Sequence, residues 1–185
     1  MRPKRLAPED PIPGLERATM AEFWSWAYSN PLMNIERGAF AEFVVGHALG
    51  VVDGVRQAWD PLDLVYKGRG IEVKSSAYVQ AWKQKKPSRP TFDIEAKTAW
   101  VDDLSRWDPE RMRRADVYVF CLYLEQRPDK ANILDVRSWE FYVLPTSRIN
   151  AEIGAQKRVG LPRIKRMTGA VGYEGIKERV DRLLI

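Results

Sequence analysis

A chain of 185 residues with 45% apolar side chains is long enough to bury a core. Its formal charge of +5 and pI of about 9.3 favour polyanionic partners, because each lysine or arginine placed on a phosphate releases counterions. One cysteine and one histidine rule out an internal disulfide and argue against a multi-cysteine or histidine zinc site and a Ser-His-Asp triad.

Residues 1–17 carry Pro3, Pro8, Pro11, Pro13 and Gly14 among charges and predict a mobile or loosely draped arm ahead of a single domain over 18–185. The opening Met1-Arg2-Pro3-Lys4-Arg5 leads into prolines instead of an apolar signal segment. No run reaches the roughly 18 apolar residues of a membrane helix. A cytoplasmic protein with no membrane partner is the expectation. Residues 19–29 (TMAEFWSWAYS) place aromatics at helical spacing behind a Thr19/Glu22 capping box and predict a short packed helix. Asn34 can cap a second helix to about Leu49, halted by Gly50 and apolar around most of its circumference, hence largely buried. Glu42 lies in its middle, and His47, on the same helix, reads as a core or rim residue.

From Leu62 the period switches to alternation through LDLVYKGRGIEVKSS, with Gly68 and Gly70 marking a hairpin reversal. Further strands are predicted at 91–95, at 116–124 (central in the sheet, with Cys121 in the core) and at 139–144, while 101–114 reads as helix or irregular crossover. Thr146 or Ser147 is placed to cap a helix into Gln156, and 173–184 has the spacing of a final amphipathic helix. Trp24, Trp26, Trp100, Trp107 and Trp139 read as packing residues. The order suits an α/β fold with a mixed central sheet flanked by helices.

The hairpin carries the chemistry. A reversal centred between Lys67 and Gly68 sets Leu64 opposite Ile71 and Leu62 opposite Val73 as a buried face, and puts Asp63 across from Glu72 with Lys74 on the same side. Two facing carboxylates repel unless a cation lies between them, and Mg²⁺, with Mn²⁺ as a substitute, takes such oxygens together with waters. The carbonyl of Val73 can add an oxygen. Lys74 then stands where it can help deprotonate a water or neutralise charge on a scissile phosphate. The bland alternative is an exposed hairpin face with an ordinary charge pair. Asp93, Glu95 and Lys97 form a decoy, since Asp93 and Glu95 leave no room for a turn between them. Asp60, in Trp59-Asp60-Pro61, competes with Asp63 but suits a turn.

After the hairpin, Gln80 could orient water or phosphate near the cation, while Trp82, Lys83, Lys85, Lys86 and Arg89 could hold a nucleic-acid backbone; the same segment also reads as a solvated turn. Further basic clusters stand at 111–114 and 157–166.

From Arg37 to Trp82 the pieces RGAFAEFVVGHALG, LDL and IEVKSS resemble, in that order, the PD-(D/E)XK nuclease superfamily, which has the restriction-endonuclease-like fold. The phrase EVKSSAYVQAW resembles a bacterial group within it, and the likeness extends through DVYVFCLYL and WEFYVLPTS. The resemblance implies that Glu42 joins the metal shell, that Asp63 and Glu72 bind the metal and that Lys74 assists the chemistry. Glu36 competes with Glu42 for the helical role, although its place near the helix start suits the macrodipole. The literal Pro-Asp pair is absent, because Leu62 separates Pro61 from Asp63.

These readings converge on a metal-dependent nuclease hydrolysing DNA, with a homodimer as one way to cut both strands. A binding module without catalysis on the same fold, or a scaffold, remains open.

Overall fold

The computed structural model describes residues 3–57, 60–101 and 106–184, with backbone alone at 99–101 and 106–107. The side chains of Trp100 and Trp107, assigned to packing above, lie outside the described set. The chain runs α1 (Met20–Tyr28), α2 (Asn34–Leu49), β1 (Leu64–Tyr66), β2 (Arg69–Ala77), β3 (Thr91–Asp93), β4 (Lys97–Val101), β5 (Arg106–Met112), β6 (Val117–Tyr123), β7 (Trp139–Pro145), α3 (Thr146–Ile153), β8 (Arg158–Gly160), α4 (Leu161–Met167) and α5 (Ile176–Leu183).

The central sheet has the order β1-β2-β6-β7, with β2 parallel to β6 and the outer pairs antiparallel. All seven residues of β6 are buried, as its unbroken apolar run VYVFCLY requires of a strand covered on both faces. Odd-numbered residues Val117, Val119, Cys121 and Tyr123 join Ile71 and Val73 under α2 and α5. Even-numbered Tyr118, Phe120 and Leu122 pack with Phe92, Tyr142, Leu144 and the apolar faces of α3 and α4. The predicted mixed sheet flanked by helices is thus the observed architecture.

The hairpin has the predicted register, Leu64 opposite Ile71 and Tyr66 opposite Arg69. Its two-residue turn uses positive φ at both Lys67 (51°) and Gly68 (75°), the backbone that matches strand twist. The alternation does not extend past Leu64, however. Leu62 belongs to the opposite core cluster from Leu64 and Val73, and lies against Gly70, where an added Cβ would stand 2.6 Å from its Cδ2. Pairing stops at Leu64, so the pleat no longer dictates which way the preceding side chain points. Gly70→Ala should therefore displace Leu62, the neighbour of Asp63, and cost about 1–3 kcal/mol in chemical denaturation. Unchanged stability would show that Leu62 moves aside freely.

Several local expectations are corrected. Within 101–114, residues 102–105 lie outside the described set, and 106–112 form not helix but β5, the antiparallel partner of β4, in which Lys97 pairs with Met112. The residues before α1 fold back on it, with Asp10 and Pro8 carbonyls accepting from Met20 and Ala21 N–H at 3.0 and 2.9 Å. Backbone hydrogen bonds, not apolar burial, hold that turn. The Glu22 carboxylate does accept the Thr19 N–H at 2.8 Å, but α1 buries no residue fully and Trp26 is 84% exposed. Trp139, by contrast, is buried as expected. Met33, not Asn34, is the N-cap of α2, and Ile35 and Phe43 stand exposed on it, so only one face is covered. Pro145 caps α3, because the Thr146 hydroxyl is turned inward to donate to the Ala115 carbonyl at 2.5 Å.

Candidate metal centre and its basic flanks

Asp63 sits immediately before β1, where ladder pairing with β2 has not begun. Its Oδ2 accepts the Val73 N–H at 2.7 Å, taking the place of a strand carbonyl. Because a paired residue directs its N–H and C=O toward the same neighbour, the Val73 carbonyl faces that edge as well. Glu72 and Lys74 alternate with Val73 onto the opposite face from Ile71, and the Lys74 ammonium donates to Glu72 Oε1. Both side chains are more than four-fifths buried.

The electrostatics reflect that burial. Desolvation pushes the Glu72 carboxyl above its ordinary range and the nearby Asp63 charge pushes it further, against the opposing pull of Lys74. Burial works against the Lys74 ammonium, but Glu72, Asp63 and Asp93 outweigh it and hold the amine above its usual value. The Tyr118 hydroxyl, beside Glu72 on β6, is raised by burial and then by the Glu72 charge. Asp63, Glu72 and Lys74 therefore share one small electrostatic neighbourhood.

A carboxyl raised in the folded state destabilises the fold progressively as pH climbs from its unfolded value through its folded one. Asp63→Asn keeps an acceptor for the Val73 N–H and removes the repelling charge, so the Glu72 midpoint should fall and that pH-dependent loss of stability should shrink. Carboxyl NMR titration with denaturation at several pH values reads both. An unmoved Glu72 midpoint would separate the two acids.

Glu42 has an arginine as its partner. Arg56 grips both of its oxygens, with Nη2 at 2.7 Å from Oε1, and the guanidinium is raised first by that bond and also by the Asp63 charge. Among the described residues, no three histidine, cysteine, aspartate or glutamate side chains converge as a metal cage. The helical carboxylate implied by resemblance is thus paired with an arginine that also feels the Asp63 charge. Glu36 leaves one buried oxygen without a partner, and Asp60 is exposed in a bend.

The decoy turns out to be a neighbour. The short strand β3 runs beside β2, so Asp93 contributes charge at Lys74, and Lys97 contributes charge at Glu72. Burial acts to raise the Asp93 carboxyl, but the Glu95 N–H and Lys97 hold it below the usual range. The β2–β3 adjacency that brings them together has no local sequence signal.

Gln80 lies beyond the end of β2. Its Oε1 accepts from buried Arg37 at 3.2 Å, its Nε2 donates to the Ala77 carbonyl at 2.8 Å, and its N–H donates to Gln84 Oε1. Gln84 in turn donates to the Tyr78 carbonyl and Ser88 hydroxyl, fastening the loop from inside. Trp82, Lys83, Lys85, Lys86 and Arg89 are all exposed on that loop. His47 contacts the Tyr173 hydroxyl at 2.6 Å through Nδ1, a rim position.

The fold and site define an α/β chain whose mixed sheet carries a buried acid–lysine group at one edge and a basic loop beyond it. No protein-family model and no curated protein matches the chain. Among solved structures it is similar to a bacterial homing endonuclease, I-Ssp6803I, at 21% identity and a TM-score of 0.36, over 67% of this chain and 74% of that one. Among the described residues, no helix is long and apolar enough to cross a membrane.

Proposed function

We propose that this protein is a divalent-metal-dependent nuclease that hydrolyses phosphodiester bonds of DNA, with Asp63, Glu72 and Lys74 as its working group. The observation that carries the reading is the largely buried Glu72–Lys74 pair with the repelling charge of half-buried Asp63 beside it. Asp63, Glu72 and the Val73 carbonyl would hold Mg²⁺, or Mn²⁺ in its place. Their donors fit, since all are hard oxygens and Mg²⁺ is commonly held by one or two carboxylates while keeping several waters. The cation when bound polarises a phosphoryl oxygen and stabilises the charge that builds on it.

The chain's own residues do the rest. The raised pKa of Lys74 keeps it protonated at neutral pH, which favours charge neutralisation on the phosphate over removal of a proton from water. Gln80, already committed to Arg37 and the Ala77 carbonyl, retains one amide proton with which to orient phosphate or water. The exposed 82–89 loop offers Trp82 for stacking and four cations for the backbone. Glu42 can join the metal shell only after Arg56 releases it.

A second reading has its own observation. Lys74 already neutralises Glu72, Asp63 is satisfied by the Val73 N–H, and Glu42 by Arg56, so the carboxylates have partners without a metal. A nucleic-acid-binding module on the same fold has that property. Incubating the protein with duplex and single-stranded DNA, with Mg²⁺ or with EDTA, decides between them. Cation-dependent cleavage that Asp63→Asn abolishes supports the nuclease, and salt-sensitive binding with no turnover supports the module. Metal binding is read separately: Mg²⁺ at about 100 times its Kd should stabilise the wild type by about 2.7 kcal/mol, and Asp63→Asn by far less.

A further inference from the structure

At the opposite end of β2 from the basic loop, a cleft of about 430 Å³ opens where β2 and β6 begin and β7 ends, lined by Arg69, Arg113, Arg114, Asp116 and Ser147 among others. Its volume is within the range of small-ligand sites. Three arginines and Asp116 line it, and with Asp108 paired to Arg114 from outside the lining the group keeps an excess of one positive charge.

The arginines differ in how firmly they are held. Arg113 donates to four neutral oxygens: Ile94 O at 2.6 Å, Asn150 Oδ1 at 2.6 Å, Gly154 O at 2.9 Å and Gln156 O at 3.0 Å. These bonds fix its guanidinium without cancelling its charge. Arg114 is anchored by Asp108 at 2.5 Å and by the carbonyls of Lys97 and Glu110. Arg69 is more than half exposed and makes a single long contact, 3.3 Å, with Asp116. The carboxylate of Asp116 is itself occupied by the Gly70 N–H at 2.8 Å. Arg114 is neutralised by Asp108, so fixed Arg113 and swinging Arg69, on either side of a water-accessible cleft, form the receptor for a compact anion with several acceptor oxygens, and a phosphate group has that chemistry.

We propose that this cleft binds a phosphate group of the nucleic-acid strand whose neighbouring phosphodiester lies at the Asp63–Glu72–Lys74 group, an inference that rests on the nuclease reading. Arg69 and Glu72 are three residues apart on one strand, a separation of about 10 Å. Arg69 shares the face of Ile71 while Glu72 and Lys74 take the other, so the nucleic-acid strand passes from the cleft around the end of the sheet on the Arg113 side, where the Arg113 charge reaches Tyr118 beside Glu72.

The test uses the full chain carrying Lys74→Ala, in EDTA, so that binding is read without turnover. A fluorescent single-stranded oligonucleotide is titrated over a range of salt against this protein and against versions also carrying Arg69→Gln or Arg69→Glu. Among the described residues Asp116 is the only side-chain partner of Arg69, so folding should be unaffected by these substitutions, as circular dichroism checks. Loss of one phosphate contact should lower the slope of log K against log salt by about 0.7 for a single strand. Arg69→Glu should weaken binding by roughly tenfold or more, a cost of about 1.4 kcal/mol. In parallel, inorganic phosphate should saturably shift the amide resonances of Arg69, Asp116 and Ser147. Unchanged slope and affinity in both variants would overturn the proposal. So would phosphate binding in the cleft with DNA affinity indifferent to Arg69, since the site would then serve a free anion. Cleavage by the wild type alongside unchanged Arg69 variants rejects the cleft and keeps the nuclease. Arg69-dependent binding with no cleavage under any metal does the reverse.

Discussion

Lys74→Ala is expected to lower Mg²⁺-dependent DNA cleavage by about 100-fold or more, with DNA affinity in EDTA little changed. The ammonium is the only cation hydrogen-bonded to Glu72 among the described residues, and it is held protonated by Glu72, Asp63 and Asp93 together. Its loss also has a signature in stability. With Lys74 gone, Glu72 keeps its burial and its repulsion from Asp63 and loses the interaction that lowers it, so its pKa rises further. Stability of the variant should then decline more steeply than that of the wild type as pH climbs through the Glu72 midpoint, and Mg²⁺ should restore it. Denaturation curves at pH 5 to 8 with and without the cation measure this. Equal cleavage by both proteins would remove Lys74 from the mechanism, and equal pH dependence would show that the ion pair does not stabilise the fold.

Phe120→Ala is expected to be the more destructive change for the fold, at about 3–5 kcal/mol, or roughly 6–20 °C in Tm. Phe120 is fully buried on the central strand, directly opposite Lys74 on β2 and Tyr142 on β7. It meets Phe92 edge-on with ring centroids 5.2 Å apart and stacks on Tyr118 at 5.8 Å. Truncation leaves a cavity between the sheet and the β3 side of the core that rigid neighbours cannot close. Because β3 delivers Asp93 toward Lys74, activity should fall along with stability. A loss below about 1 kcal/mol would mean that the layer repacks around alanine.

The hairpin register, the central position of β6 and the stop of α2 at Gly50 were all legible in the residues themselves. Each rests on local physics: a two-residue turn with positive φ fixes which residues pair, an unbroken apolar run needs cover on both faces, and glycine tolerates the left-handed backbone at a helix end. Asp63, Glu72 and Lys74 fell into one group for the same reason, since they are linked by a single turn.

What spans longer separations was decided by packing. The sequence could not show that Leu62 would leave the Leu64 face to lie on Gly70, because alternation binds a side chain only while its strand is paired. Nor could it show that Arg56 would take Glu42, that β3 would carry Asp93 to Lys74, or that Arg113 and Arg114 would share one cleft with Arg69, 44 or more positions earlier in the chain. Those partners meet through the sheet order β1-β2-β6-β7 and the layers on its two faces. Charge pairing at that range is set by where the core places the backbone, and a linear pattern of residue types carries no record of it.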